Sequence, residues 1–539
     1  MKYSILAAAA VAMAAASLAH GAEPAQGGFA LGPIQKVEIA TNRAFIVNGR
    51  PFFPLMAWLQ DAENFPALRA CGMNATAGYH SKSSGTEHVG QYLDLVEKAG
   101  LYGVMPFDER LKGRPGLLAY IHGDEPDLSH EESDATVEPG PGLAVNKKTP
   151  LWRMVDGVTS SWSVLDPLDK ASVTIRLKEP VTVTALAVCL TVSPGLDVAK
   201  EIRFEGDGKE ILTAALKSEK GQQKFPLASP ATFRELRLTV TQTYPGKNGW
   251  GSIGEIEGLG ADGKNVLASP PRQVVRAEPA EVLRQYQAIK AADPSRPVFM
   301  TLTGNFHPQF KKWPDAQREA MYPEYVKAAD VVGYDIYPIY GWNKPEWIHL
   351  VQEATDRLVK MAAPRPVYAW IETSKGGQWT GPLENQKDVT PAHIRAEVWM
   401  SITRGATAIG YFTHIWKPAY KQFGVPEENR KALREVNDQI TRLSGAILGP
   451  DGPPRPATID GGGVKLDVLA RTEGGRLYVF AVNYDERAKE ARGAVRMEGL
   501  PAGRKVEVID EGRTLTTDAG GFADTFAPLA VHVYRLDLK

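Results

Sequence analysis

Eight times along the chain, a short and nearly unbroken apolar run ends in polar or aromatic residues. The runs are "FFPLMAWLQ" (52–60), "MNATAGYH" (73–80), "LYGVMPFD" (101–108), "LLAYIHGDE" (117–125), "PVFMTLTGN" (297–305), "DVVGYDIYP" (330–338), "PVYAWIETS" (366–374) and "TAIGYFTHIW" (407–416). Continuous apolar runs between turn signals mark strands buried on both faces, as in a parallel sheet. Helical patterns such as "HVGQYLDLVEKAG", "AEVLRQYQAIKAADP" and "RAEVWMSITRGA" separate them. Gly100 and Asp293-Pro294 are placed to stop two of these helices. Eight alternations predict a closed (β/α)8 barrel. The connection "ERLKGRPG", between the third and fourth runs, is too short for a full helix.

One connection is far too long. Roughly 150 residues separate Glu125 from the helical pattern near Glu278, where such a loop normally takes about 2–6. It opens with "SHEESDATVEPGPG", read as an acidic linker, and then alternates with period two in "ASVTIRLKEPVTVTALAVCL", "KEIRFEGDGKEIL" and "FRELRLTVTQTYP". Asp207-Gly208 and Asp262-Gly263 suit hairpin turns. This is a β-sandwich inserted after the fourth strand. After Gly449 the helices cease, and runs such as "RLYVFAVNYD" and "LAVHVYRLDL" predict a second, C-terminal β-sandwich. The expected fold is therefore α/β, a TIM barrel (30–130 and 271–449) with an inserted sandwich (131–270) and a terminal one (450–539).

The first 22 residues have a lysine at position 2, an Ala-rich apolar stretch and small residues near Ala19 and Ala22. That is the pattern of a cleavable signal peptide, so the expected location is periplasmic or secreted. No later run is long enough to cross a bilayer. Across 539 residues, 62 Lys plus Arg balance 63 Asp plus Glu, which argues against a nucleic-acid partner. The two cysteines, Cys71 and Cys189, fall in different expected domains, so no disulfide framework is expected.

In a barrel of this kind, chemistry sits at the C-terminal ends of the strands. Glu125 ends the fourth and Glu372 the seventh. Two carboxyls across one mouth suit glycoside hydrolysis, in which one gives a proton and the other stays ionised. Each also has a plain structural reading. Asp-Glu-Pro is a good helix start, and Glu372 is equally a solvated strand end.

Placed so, the glutamates resemble those of the clan A retaining glycoside hydrolases, whose acid/base follows strand four and whose nucleophile follows strand seven. The resemblance implies Glu125 as acid/base, Glu372 as nucleophile, no cofactor, and an oligo- or polysaccharide as partner. It also implies that Tyr337, in "YDIYP", hydrogen-bonds the nucleophile and that Trp416 is a sugar-stacking platform. One position departs from it. The clan usually has Asn before the acid/base, and here that residue is Asp124. An Asp-Glu pair at this point resembles the hexosaminidases that use the substrate's own 2-acetamido group as nucleophile. That likeness implies Asp124 holding the acetamido group and Glu125 acting as the acid, with no nucleophile role for Glu372. A barrel that binds carbohydrate without turnover is a third reading. Trp58, His80 and Asn305, with Asp108 and His307, end predicted strands as further sugar contacts, and Trp342 is a more distant one. His122 and Asp124 lack a third metal ligand at diagnostic spacing. No G-x-S-x-G elbow is present, and "GWGSIG" falls in the all-β insertion.

The insertion resembles discoidin-like (coagulation factor type C) carbohydrate-binding sandwiches in "LWRMVDGVTSSWSV", in the strand pair that follows, and in "GSIGEIEGLG". The resemblance implies sugar binding and, in some members, a structural calcium. A purely structural wedge is the alternative.

Overall fold

The computed structural model describes residues 31–449 and 455–538, so the signal-like segment lies outside the described residues. The chain forms two compact units. One comprises the chain up to Asp127 together with that from Ala277 onward, and the other is Leu128–Arg276.

In the first unit the eight apolar runs become the strands of a closed parallel barrel. They are β1 (Leu55–Trp58), β2 (Ala75–Ala77), β3 (Tyr102–Met105), β4 (Leu117–Ile121), β5 (Val298–Thr303), β6 (Val331–Asp335), β7 (Val367–Glu372) and β8 (Ala406–Phe412). β4 pairs directly with β5, Tyr120 opposite Val298, so the long interruption leaves the sheet closed. The ring completes where β8 meets β1. The helices are α1 (Phe65–Ala70), α2 (Val89–Lys98), α3 (Pro279–Ala292), α4 (Asp315–Tyr325), α5 (His349–Ala362), α6 (Pro391–Thr403) and α7 (Glu427–Leu448). Gly100 follows the cap of α2 at a φ of 69°, and α3 ends at Asp293 before its proline. A single 3-10 turn, Glu109–Leu111, lies in the short connection from β3 to β4.

Large rings fill the barrel. Trp58, Phe299, Tyr368 and Trp370 lie in one buried cluster. They fit because the neighbouring strands carry glycines. A Cβ on Gly333 would sit 2.1 Å from the Tyr368 ring, and one on Gly410 would sit 2.1 Å from the Trp370 ring. Val331 and Gly333 therefore face inward, and by the two-residue strand period so does Asp335 at the end of β6.

Helix α6 is apolar on nearly every side because it is covered twice. One face packs on β7 and β8, and the other meets the C-terminal sandwich, where Trp399 stacks on Phe480 at 5.3 Å. That sandwich has a three-stranded and a five-stranded sheet. Asp467, on the latter, accepts from Thr403 Oγ1 at 2.8 Å and Arg404 Nε at 2.7 Å.

The second unit is one eight-stranded antiparallel sheet that bends over its own core at register shifts in Ser172–Leu190. Val173, Leu186, Phe204, Leu236 and Ile256 lie in that core. Asp207 and Gly208 turn the Val198–Gly206/Lys209–Ala215 hairpin at positive φ. The acidic stretch expected as a linker is instead ordered. Ser129–Glu132 pairs with Arg272–Val275, and Thr136–Pro139 pairs with the edge of the sheet. Arg272 reaches Glu132 and Asp134, so opposite charges zip the two ends of the insert together.

Candidate active site

The turn after β4 carries the sequence Gly-Asp-Glu-Pro-Asp. Glu125 adopts a φ of 47°, the left-handed region, which costs a non-glycine residue about 1–2 kcal/mol. The strain is held by Asp127, two residues on and fully buried. Its carboxylate accepts from Thr303 N at 2.8 Å, Thr303 Oγ1 at 2.5 Å and Tyr322 OH at 2.8 Å. Burial still pushes the Asp127 carboxyl up to about 6. The turn is thus pinned to β5 and α4, and Glu125 is presented half-buried with Asp124 exposed beside it.

Opposite stands Asp335, which sequence reasoning missed. Its carboxyl lies within hydrogen-bond reach of Glu125, with Asp124 and Asp127 close by. Burial first, then the repulsion of these three acids, raises it well above the ordinary carboxylate range. The signal was present in "VVGYDIYP", where inward positions alternate up to Asp335, but the expectation stopped at Tyr337. Tyr337 faces the same acids, Asp335, Asp124 and Glu125, and burial keeps its hydroxyl neutral. The floor below is Tyr368 OH and Trp370 Nε1, both on Thr301 Oγ1 at 2.7 and 3.0 Å.

Glu372 does not join this group. Its side chain is 0 % exposed. Oε1 and Oε2 accept from Ile339 N at 3.0 and 3.1 Å, and Oε2 also accepts from Tyr340 N at 2.5 Å. The other neighbour is Glu397 of α6, also fully buried. Burial raises the Glu372 carboxyl to about 7. The oxygens of the expected nucleophile thus turn to the backbone of the loop after β6. Tyr337 likewise faces the β4 and β6 acids rather than Glu372.

The remaining expected contacts separate into wall and floor. Trp416 is half-buried and stacks at 6.1 Å and 9° on Phe412, which packs on Tyr337 at 5.0 Å. Tyr420, 54 % exposed, extends this aromatic wall, 5.4 Å from Trp416. Trp58 is 9 % exposed and edge-on to Trp370, at the floor. His80 is exposed after β2, and Asn305 is half-buried in the 3-10 turn after β5. His122 Nε2 is bonded to Ala328 O at 2.8 Å. Among the described residues no group of three or more His, Cys, Asp or Glu is arranged for a metal.

The insert has its own acid pair. Asp156 and Glu255 are both buried, and Glu255 Oε1 accepts from Gly157 N at 2.9 Å while Oε2 lacks a hydrogen-bond partner. Burial raises Glu255 to about 7, helped by its hydrogen bonding to Asp156 and the charge there.

Fold and site together define a (β/α)8 barrel with an acid cluster and an aromatic wall at its C-terminal mouth. No family model matches the chain, and no curated protein does. Among solved structures, the α-amylase from Geobacillus thermoleovorans complexed with acarbose is similar at 13% identity and a TM-score of 0.35, over 49% of this chain and 58% of that one. An Anoxybacillus α-amylase matches at 12% identity and TM-score 0.33, over 49% and 57%. The chain thus spans less than two thirds of either amylase. A family 32 carbohydrate-binding module from C. perfringens NanJ, in complex with galactose, matches at 16% identity and TM-score 0.20, over 24% of this chain and 97% of that one.

Proposed function

We propose that the protein is an exported, retaining glycoside hydrolase of 2-acetamido sugars, with Glu125 as the proton donor and the substrate's acetamido oxygen as the nucleophile. The observation that carries this reading is the contact of Glu125 with Asp335 beside Asp124, while Glu372 is sequestered. Double displacement needs carboxyls about 5–5.5 Å apart, and inversion needs about 6.5–9.5 Å. The Glu125 and Asp335 carboxyls interact directly, which favours neither arrangement for this pair. One proton between them is favoured, because burial and the neighbouring acids raise the Asp335 carboxyl well above the ordinary range. That supplies an acid at neutral pH and leaves the nucleophile to the substrate.

The steps then balance. As the bond from C1 to the leaving oxygen breaks, Glu125 gives that oxygen its proton. The acetamido oxygen bonds to C1 from the opposite face, and Asp124 accepts a hydrogen bond from the acetamido N–H as positive charge develops. Water, deprotonated by Glu125, then attacks C1 and reopens the ring with net retention. Tyr337 faces the same acids, and Trp416 offers a face for the sugar ring.

A panel of aryl glycosides, with the first product's anomer read by NMR, tests the reading. Activity confined to 2-acetamido sugars, with retention and no trapped protein adduct, is expected. A fluorosugar adduct on Glu372 would establish double displacement in its place. Absence of turnover on every member, with sugar binding intact, would leave a carbohydrate-binding barrel.

A further inference from the structure

Glu397 is an acid in the middle of an apolar helix, and the proposed chemistry does not use it. Its carboxyl is fully buried, neither oxygen has a well-formed hydrogen-bond partner among the described residues, and the one donor facing it there is the Glu372 backbone N–H. Its close partner is Glu372, another acid, within hydrogen-bond reach. Two buried carboxyls in contact cannot both be ionised. No Lys, Arg or His among the described residues contributes to the electrostatics of either carboxyl. On α6 itself, Arg395 faces Asp510, Glu511 and Glu435, and His393 is bonded at Thr390. The titratable groups that do face the pair are Tyr334 of β6 and Tyr340 of the following loop, both held neutral by burial.

We propose that Glu397 stays protonated and donates to Glu372, fixing Glu372 as the anionic clamp that grips the amides of Ile339 and Tyr340. Both glutamates are positioning residues. The clamped loop is anchored again where Thr380 Oγ1 donates to Tyr340 O at 2.6 Å, and its Tyr340 ring packs edge-on to Tyr337 at 6.0 Å. It runs straight on from Asp335, so the clamp sets where Asp335 and Tyr337 stand. That last role rests on the glycosidase reading, whereas the clamp itself does not.

The sign of the pH dependence follows. Glu397 keeps the pair's proton well above the ordinary Glu range, so the folded chain binds more protons than the unfolded one above about pH 4.5. Stability from the pair therefore falls as pH rises toward and past 7.

The test needs no substrate. Hydrogen exchange at the Ile339 and Tyr340 amides is measured in the full chain from pH 6 to 9, after correction for intrinsic base catalysis. Protection in the wild type is expected to fall about tenfold per pH unit once the shared proton is lost. In Glu397→Gln, whose amide donates at every pH, the slope should vanish, and the thermal melting curve should flatten over the same range. PH-independent protection in the wild type, or the same slope in both proteins, would overturn the clamp. If the variant does not fold, the wild-type exchange decides alone. With an active aryl substrate, Glu397→Gln should also move the alkaline limb of kcat. A clamp that titrates as described without any such movement would overturn the positioning role alone, and a failed glycoside panel leaves the exchange result standing.

Discussion

The barrel contains two carboxyl pairs of nearly the same composition, Glu125 with Asp335 and Glu372 with Glu397, and their surroundings give them opposite work. The first lies at the mouth on a strained turn, half-open to solvent, with a third acid beside it. The second is closed off, and Glu372 accepts from two backbone amides. A strand-end acid becomes reactive or structural according to what meets its oxygens, and the residue type alone does not decide it.

The sharpest way to break this comparison is to neutralise one acid of each pair. Glu125→Gln removes the transferable proton and should lower kcat/KM at least ~10³-fold with a poor leaving group. Glu372→Gln removes only an acceptor for the loop amides and should cost about tenfold in kcat, with roughly 1–3 kcal/mol of stability. Equal losses from the two, measured on the same 2-acetamido aryl glycoside, would return Glu372 to the chemistry. Next in size is Asp335→Asn. Asp335 is the member whose proton is held high, so the basic limb of the kcat/KM profile should move to lower pH by about one unit or more. An unmoved profile would remove Asp335 from the acid.

The barrel was legible because its strands are buried on both faces and read as unbroken apolar runs, even across the long interruption between β4 and β5. The mouth turn was legible too, since consecutive acids after an apolar strand stand out. The direction of the Glu372 side chain was not. It depends on two amides 33 and 32 residues earlier in the chain, whose placement no local pattern encodes. Glu397 did leave a trace in "AEVWMSIT", an acid inside an apolar helix, but its meaning appears only once the helix is seen covered on both sides. The acidic stretch after Glu125 was misread because its partner strand lies near Arg272, at the far end of the insert.

A smaller effect tests what holds the mouth pair in its strained turn. Asp127→Asn places an NH2 group among three donors and should cost about 2 kcal/mol, seen in chemical denaturation. The Asp127 carboxyl is raised from 3.8 to about 6, so the folded chain keeps this proton where the unfolded chain loses it. Its contribution to stability falls as pH rises from about 4 to 6, and the variant should lose that slope. A several-fold drop in kcat should accompany it, because Glu125 is released from its positive φ.

The smallest expected effect marks the boundary of the reactive pair. Trp416 reaches the acid cluster only through Phe412 and Tyr337, in a run of ring contacts at 6.1 and 5.0 Å. An aromatic face over a sugar is worth about 1 kcal/mol, so Trp416→Ala should raise KM about fivefold and leave both kcat and its pH profile in place. A shift in the basic limb would show that the wall helps to set the proton affinity of Glu125 and Asp335, and the reactive region would then extend as far as β8. An unchanged KM on substrates of every length would place the sugar elsewhere on the mouth, toward His80 after β2 and Asn305 after β5.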